Sequence, residues 1–241
     1  MDSSFISKEK LNEEALRFGI NLDETALNRF DIYARELVSW NEKINLTAIT
    51  DPDGILIKHF VDSLSIFKYV DFPTGAKVID VGTGAGFPGI PILIARPDIK
   101  LTLLDSTAKK LNVINDILSK LSLEAQIVHM RAEEAGQNKE FREKFDFATA
   151  RAVANLRELS EYCLPFVKVG GSFISMKGAK AGEEIDGARK AVSILGAKIE
   201  RKESFELHEA GERNIIILKK ISPLSPKYPR PSAKIAKFPL E

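Results

Sequence analysis

The first part of the chain has its apolar residues at the spacing of helices. Leu27, Phe30, Ala34 and Leu37 recur at intervals of three and four residues, which places them on one face of a helix with 3.6 residues per turn. The same kind of spacing extends over residues 5 to about 72. The pattern therefore predicts that this part of the chain is helical.

From residue 76 onward, the pattern alternates between strands and helices. Short apolar runs are separated by amphipathic stretches, with glycines or polar residues between them. Alternation of this kind is typical of βαβ units around a mostly parallel sheet. Right-handed crossovers then bring the loops that follow the strands to one edge of the sheet. We predict seven strands, at residues 77–81, 100–104, 125–130, 145–150, 172–176, 197–207 and 214–218.

Polar residues and glycines predict where the later elements begin. Ser106 or Thr107 is expected to cap the helix after the second strand, and Asn155 to open a helix that runs toward residue 167. Gly170-Gly171 is expected to turn the chain into the fifth strand. A further helix is predicted at residues 183–195.

The most informative stretch follows the first strand. Asp80 precedes Gly82, Gly84 and Gly86, which stand at alternate positions and let the backbone turn sharply and come close to a ligand. A helix is predicted to begin near residue 88 or 89, so that its unpaired N–H groups face this turn. Strand, glycine turn and helix together indicate a nucleotide-cofactor site.

The spacing of the glycines separates two kinds of cofactor. The dinucleotide fingerprint needs a glycine where Phe87 stands, and the match from Gly84 to Gly89 is shifted two residues from the strand end. The stretch instead resembles motif I of the S-adenosylmethionine-dependent methyltransferases. Asp105 ends the second strand, 23 positions after Gly82, which is close to the spacing expected for a carboxylate on ribose hydroxyls. Its alternative role is to cap the next helix.

Two further strand ends carry candidate ligands. Arg131, Ala132 and Glu133 follow the third strand, where methyltransferases read the adenine edge; the alternative for Glu133 is a solvated position at a helix start. Arg151 follows the fourth strand, and a guanidinium there can bind a cofactor carboxylate or an RNA phosphate in a bidentate manner. Its alternative is a salt bridge to a neighbouring acid.

Composition restricts the class of protein. The 241 residues are 44% hydrophobic with a mean hydropathy of −0.10, enough to bury a core in a soluble protein. The longest apolar run, residues 87–95, is too short to span a membrane, and no secretory signal is recognisable. Cys163 is the only cysteine, which excludes a disulfide framework. We expect a cytoplasmic, monomeric protein without a metal site.

The net charge of +1 is unevenly distributed. From Lys219 to the last residue there are six basic residues and one acidic residue, a net charge of +5, so that the rest of the chain carries −4. An acidic body with a basic end predicts a polyanionic partner that is met at one edge.

Missing motifs narrow the chemistry further. Cys163 lies among large apolar residues and is expected in the core, which argues against the thiolate chemistry of cytosine C5 methylation. The chain has no Asn/Asp-Pro-Pro-Tyr motif of the kind that holds exocyclic amines. Guanine N7 already has a free lone pair, so an enzyme that methylates it mainly has to hold base and sulfonium in line.

Eight segments spread over nearly the whole chain carry one further resemblance. They resemble the bacterial 16S rRNA guanine-N7 methyltransferase family, which is also called the glucose-inhibited division protein B family. The resemblance implies a Rossmann-like α/β fold with a mostly parallel seven-stranded sheet, helices on both faces and an N-terminal helical extension. The segments are residues 40–49, 59–64, 80–88, 104–106, 131–133, 151–152, 177–178 and 227–230.

The same resemblance implies a substrate, a cofactor and a set of contacts. S-adenosyl-L-methionine would be the methyl donor, and N7 of guanine 527 in 16S rRNA, naked or in an assembling small ribosomal subunit, the acceptor. No catalytic side chain and no metal ligand is assigned. The residues assigned to the cofactor are Gly82, Gly84, Phe87, Asp105, Ser106, Thr107, Ala132, Glu133 and Arg151.

Domain limits and two other functions complete the predictions. We expect a helical segment at residues 1–72, a methyltransferase domain at 73–221 and a basic, proline-rich tail at 222–241. One alternative function is an NAD-dependent oxidoreductase, because Asp105 would also suit a nicotinamide ribose. The other is a ribosome-binding module that keeps the fold without catalysis.

Overall fold

The N-terminal part of the computed structural model, which describes residues 4–151, 154–179 and 181–241, is mostly helical. Ala152, the second residue of the 151–152 segment, lies outside the described residues. Helix α1 spans Lys8–Leu16 and helix α2 spans Glu24–Asn41. Both begin at a capping side chain, Ser7 for α1 and Asp23 for α2, which accepts a bond from a free N–H group of the first turn.

The prediction of helix throughout residues 5–72 is wrong for the stretch after α2. The side chain of Asn41 accepts hydrogen bonds from the N–H groups of Leu46 and Thr47, at 2.7 and 2.9 Å. The amide of Asn41 thus satisfies the backbone of an irregular loop, which competes with continuation of the helix. Helical structure resumes only at residue 52.

Residues 52–68 form one continuous helical stretch with a wide turn in its middle. It consists of α3 (Pro52–Gly54), a π-helical segment (Ile55–Val61), α4 (Asp62–Leu64) and a final 3₁₀ turn (Ser65–Lys68). A π-helical segment is rare and is frequently found at functional sites. The residue that it contributes to the site, His59, is described below.

The seven-stranded sheet is confirmed, and its strand order is β3-β2-β1-β4-β5-β7-β6. Strands β1 to β5 pair in parallel, whereas β7 is antiparallel to both β5 and β6. The carboxyl ends of β1 to β5 therefore meet at one edge. The strands are β1 (Lys77–Val81), β2 (Lys100–Asp105), β3 (Gln126–His129), β4 (Phe145–Arg151), β5 (Val167–Lys177), β6 (Ala197–Leu207) and β7 (Gly211–Lys220).

Strand β5 begins earlier than the sequence predicts. Phe145 of β4 pairs with Val167, and Phe147 pairs with Ser172, so the residues between them on β5 form a bulge. Gly170, with φ of +85°, and Gly171 lie inside this bulge and not in a turn before the strand. A bulge lets the strand continue through extra residues that have no partner opposite.

Helices cover both faces of the sheet. One apolar cluster includes residues of α1, α2, the π-helical segment, α5 and α6, and a second includes residues of α7, α8 and α9. The division of the chain at residues 72 and 221 stays a prediction. The helices are α5 (Gly89–Ala95), α6 (Ala108–Leu121), α7 (Ala132–Gln137), α8 (Leu156–Cys163), α9 (Ala181–Ile194) and α10 (Ser232–Lys237).

The predicted helix starts are partly confirmed. Asn155 caps α8, because its side chain accepts a bond from the N–H group of Arg157. This helix ends at Cys163, short of residue 167, because Val167 already belongs to β5. Thr107 precedes α6, but its side chain makes no capping bond. Across the described residues, no helix has both the length and the hydropathy to cross a membrane.

Candidate functional site

The glycine turn after β1 is fixed by its own conformation and by strand β2. Gly82, Gly84 and Gly86 have φ values of +71°, +61° and +103°, a region that residues with a side chain rarely occupy. The N–H groups of Gly82 and Thr83 both donate to the carbonyl oxygen of Leu104, at 2.9 and 3.1 Å. The turn therefore stays close to the end of β2.

Asp80 holds the turn from inside the protein. Its fully buried carboxylate accepts bonds from the Thr83 hydroxyl at 2.7 Å and the Gly89 N–H group at 3.0 Å. Burial raises the pKa of Asp80 to about 6, although these hydrogen bonds oppose the shift. The sequence predicts unpaired N–H groups at the start of this helix. The N–H group of Gly89, at the start of α5, is instead bonded to Asp80 and is not free for a ligand.

Asp105 joins the glycine turn to the start of helix α6. One carboxylate oxygen accepts from the Gly84 N–H group at 2.9 Å, and the other from the Thr107 N–H group at 2.8 Å. Both interpretations of this residue fit, since it supports the beginning of α6 and also lies at the end of β2. Each carboxylate oxygen has a second lone pair, so Asp105 can still accept a hydrogen bond from a ligand.

A cavity of about 550 Å³ lies at this edge of the sheet, within the usual size range of small-molecule sites. Eight of the nine residues predicted to bind the cofactor line it; only Phe87 does not. The eight are Gly82, Gly84, Asp105, Ser106, Thr107, Ala132, Glu133 and Arg151.

Other lining residues were not found from the sequence. Glu158 and Tyr162 line the cavity from α8, and their spacing of four residues on one helix face was an available signal. Ser232 lines it from α10, far along the chain. For Ser232 the sequence offered no signal.

Phe87 lies behind the cavity wall in a stack of aromatic rings. Its ring is stacked on that of His59, with centroids 4.5 Å apart, and on that of Tyr33, at 5.4 Å. The guanidinium carbon of Arg151 lies 4.8 Å from the Phe87 centroid, within the range of a cation–π interaction. Phe87 thus supports Arg151, which itself lines the cavity.

Arg151 is held by the π-helical segment and α4. Its guanidinium donates to a carboxylate oxygen of Asp62 at 3.0 Å and to the imidazole Nδ1 of His59 at 3.2 Å. Asp62 accepts a second bond at 3.1 Å from Arg213 of β7. The salt-bridge interpretation of Arg151 is therefore confirmed, and its partner Asp62 is shared with a second arginine.

His59 is neutral in this arrangement. Burial, together with the positive charge of Arg151, lowers the pKa of His59 to about 4. Because Arg151 can only donate, Nδ1 of His59 is an acceptor and its proton lies on Nε2, 2.8 Å from the hydroxyl of Thr47. His59 therefore helps to position Arg151, a residue that lines the cavity.

A second cavity, of about 400 Å³, also borders Arg151. Among the described residues that line the two cavities, Arg151 is the only one that lines both. Polar side chains from the π-helical segment, α4, β5 and β7 are among the residues that line the second cavity. They include Lys58, His59, Asp62, Lys177, Arg213 and Asn214.

Comparisons with known proteins decide the family. A family model described as GidB, rRNA small subunit methyltransferase G, matches residues 26–216. The chain belongs to this family. The Ribosomal RNA small subunit methyltransferase G of Clostridium novyi is 45% identical over 242 residues, and that of Acetivibrio thermocellus is 48% identical over 243 residues. Both alignments cover 100% of each chain.

Solved structures agree on the fold. A candidate methyltransferase from Bacillus halodurans has a TM-score of 0.51 and 14% identity, covering 67% of this chain and 99% of the other. The YcgJ protein of Bacillus subtilis has a TM-score of 0.50 and 13% identity, covering 68% of this chain and all of the other. At such low identity the likeness shows the fold alone, which is Rossmann-like.

Membership of this methyltransferase family settles the class of activity. The protein is an enzyme that methylates ribosomal RNA, and S-adenosylmethionine is its methyl donor. The oxidoreductase and the non-catalytic alternatives are therefore wrong. The 550 Å³ cavity suits this donor, because it combines a glycine turn without side chains, the carboxylates of Asp105 and Glu133, and the cation of Arg151.

Cys163 takes no part in either cavity. The thiol is fully buried in α8, and burial raises its pKa well above the ordinary value. A thiolate nucleophile at this position is therefore excluded. Within residues 4–151, 154–179 and 181–241, no group of three or more potential metal-binding side chains occurs.

Proposed function

We propose that this enzyme methylates N7 of guanine 527 in 16S rRNA, with the cofactor and the guanine in the two cavities that adjoin Arg151. The observation that carries the proposal is the position of Arg151, which lines both cavities. A donor on one side and an acceptor on the other side of one guanidinium would lie close together, and such proximity is the main requirement of this transfer.

In this proposal the larger cavity holds the cofactor. Bound S-adenosylmethionine supplies an electrophilic methyl group. Asp105 accepts hydrogen bonds from ribose hydroxyls, and the turn at Gly82 and Gly84 leaves room for the backbone to approach the ligand. Ala132 and Glu133 bind the adenine edge, Ser106 and Thr107 border it, and Phe87 acts indirectly, by supporting Arg151.

The smaller cavity would receive the guanine. Its lining offers donors and acceptors of the kind that recognise base edges, for example the Lys58 ammonium and the Arg213 guanidinium. In an A-form duplex the N7 edge faces a deep, narrow groove that side chains do not enter. The target guanine would therefore have to be unpaired and turned out of its loop.

The protonation states at the cavity favour N7 over an acceptor that must lose a proton. The lone pair of His59 Nδ1 already accepts from Arg151, and the low pKa of His59 keeps it uncharged. Both carboxylate oxygens of Asp62 already accept hydrogen bonds from guanidinium groups. N7 needs no general base, because its lone pair is free before the reaction.

Methylation of a small-subunit particle followed by nucleoside mass spectrometry tests this proposal. We expect 7-methylguanosine at a single site, sensitive to borohydride and aniline, and a rate at saturating substrate that is nearly flat from mildly acidic to mildly basic pH. Naked 16S rRNA, assayed in parallel, identifies the form of substrate. A methyl group on an exocyclic amine, a ring carbon or a ribose oxygen would refute the N7 assignment.

A further inference from the structure

The chain after β7 returns to the cofactor cavity. Residues 221–241 cross the second apolar cluster, where Leu224 and Tyr228 are buried. Helix α10 then packs against α8, with Ile235 fully buried. Ser232, the first residue of α10, lines the 550 Å³ cavity. The C-terminal segment is therefore part of the packed structure at the site.

The guanidinium of Arg142 ties this segment to the body of the enzyme. It donates to the carbonyl oxygens of Leu224, Ser225 and Tyr228, at distances of 2.7 to 3.1 Å. The side chain of Gln137 donates to the carbonyl oxygen of Pro229 at 2.9 Å. Backbone groups of an irregular segment are thus satisfied by side chains from the region of α7.

A buried ion pair involves Arg230, two residues before Ser232 in the sequence. Glu161 of α8 is fully buried, and its carboxylate accepts from Arg230 through the backbone N–H group at 2.8 Å and the guanidinium at 2.7 and 2.8 Å. A bidentate pair of this kind fixes both distance and orientation. The next residue on α8, Tyr162, lines the cofactor cavity, so one helix carries both the anchor and a cavity wall.

The charges of the segment are only partly available to a polyanion. Of the six basic residues from Lys219 to the last residue, Lys220 is fully buried beside Glu143, and Arg230 is paired with Glu161. The prediction that the whole basic end meets a polyanion is thus too broad. Two of its cations serve internal contacts instead.

We propose that the C-terminal segment is a wall of the cofactor cavity, and that Glu161 and Arg230 are positioning residues that hold Ser232 at its rim. When the segment is docked, it shields one side of the bound cofactor from solvent. The inference rests on the placement of the cofactor proposed above. It assigns cofactor retention to part of the basic end of the chain, for which the charge distribution predicted only a polyanionic partner.

Two neighbouring substitutions test the wall. Ser232→Leu places a large side chain at the cavity, and we expect the dissociation constant of S-adenosylmethionine to rise at least about tenfold in calorimetry. Ala233→Leu is the matched control, because Ala233 is the adjacent, exposed residue of α10 and does not line this cavity. An unchanged affinity in folded Ser232→Leu, or equal losses of affinity in both variants, would refute the proposal that the C-terminal segment forms a wall of the cofactor cavity.

Three variants of Arg230 test the anchor. Arg230→Met leaves Glu161 unpaired, Arg230→Lys keeps the charge, and the double variant Glu161→Gln/Arg230→Met removes both charges. Measured by stopped flow, cofactor release should be about tenfold or more faster in the double variant, with partial rescue by Arg230→Lys. Release at the wild-type rate in a folded double variant would refute the positioning role, even if Arg230→Met itself does not fold.

Asp105→Ala separates failure of this inference from failure of the cofactor placement. If Asp105→Ala weakens S-adenosylmethionine binding and Ser232→Leu does not, the placement stands and the wall is refuted. If neither variant changes the affinity, the cofactor lies elsewhere and both proposals fall.

Discussion

The ring of Phe87 lies flat on the imidazole of His59, with 4.5 Å between the centroids and 18° between the planes. The guanidinium of Arg151 contacts both, because it lies over the Phe87 ring and donates to Nδ1 of His59. Three segments far apart in the sequence, the π-helical segment, the glycine turn and the end of β4, therefore meet at one point. A disturbance of any of the three displaces the residue that lines both cavities.

The low pKa of His59 predicts how stability changes with pH. The folded-state pKa is about 4, below the value of about 6.5 in unfolded chains. The stabilisation of the folded state that depends on a neutral His59 is therefore present above about pH 6.5 and is lost as the pH falls from about 6.5 to about 4. When the pH is lowered from 7 to 5, the unfolding free energy of the wild type should fall by about 2 kcal/mol more than that of His59→Asn. Urea denaturation at the two pH values measures this difference.

The control for this prediction is His208→Asn. The His208 side chain is 70% exposed, so this variant removes a histidine without disturbing a buried contact. Asp80, whose raised pKa of about 6 acts in the opposite direction between about pH 6 and pH 3.8, is retained in every variant and cancels in the comparison. Parallel curves for His59→Asn and the wild type would refute the neutral, buried state of His59.

The contacts of Asp105 predict its part in cofactor binding. Asp105→Ala removes a charged acceptor at the end of β2 and also the bonds that hold Gly84 and Thr107. Hydrogen bonds to charged groups contribute about 1.5–3 kcal/mol each, so the affinity for S-adenosylmethionine should fall by roughly 10- to 150-fold. Calorimetry on a folded variant measures this, and wild-type affinity there would contradict the role.

The strands could be predicted because their signals are local. Most of the seven contain a short apolar run bounded by glycines or polar residues, and the loops after β1 and β2 carry the motif that indicates the cofactor. Thus Gly82, Gly84 and Asp105 were correctly expected at one edge of the sheet. The extent of β5 was not, because its bulge depends on pairing with β4.

The ion-pair network could not be predicted in the same way. His59 and Arg151 are 92 positions apart, and Asp62 and Arg213 are 151 positions apart. No periodicity connects such residues, because the topology of the sheet alone decides that they meet. The number of basic residues near the C-terminus did not predict how many are available to a polyanion, for a similar reason. The count includes Arg230 but does not show its buried partner, Glu161.

The crowding at Gly86 predicts a loss of stability on substitution. A methyl group there would lie 2.5 Å from Cδ1 of Ile90 and 2.7 Å from the hydroxyl oxygen of Tyr33. Gly170→Ala is a matched control, since Gly170 also has a positive φ, +85°, but has open space around it. Gly86→Ala should cost about 1–3 kcal/mol more unfolding free energy than Gly170→Ala. Equal losses in urea denaturation would mean that the turn relaxes freely.

Asp62 is predicted to be essential because two arginines depend on it. Its carboxylate is only 10% exposed and binds Arg151 at 3.0 Å and Arg213 at 3.1 Å. Removal of one partner from a buried charge network costs about 3–5 kcal/mol, so Asp62→Ala should lower the unfolding free energy by about that amount. It should also slow methyl transfer, because Arg151 loses its carboxylate partner.

The matched control for Asp62→Ala is Asp186→Ala. Asp186 pairs with Arg189 at 3.3 Å on the surface, where its side chain is 81% exposed, and an exposed pair contributes about 0–1 kcal/mol. Urea denaturation and single-turnover methylation of the same preparations measure both effects. If Asp62→Ala is no less stable than Asp186→Ala and transfers methyl groups at the wild-type rate, Asp62 does not position Arg151 for catalysis. A loss of rate at temperatures where Asp62→Ala remains folded would establish that it does.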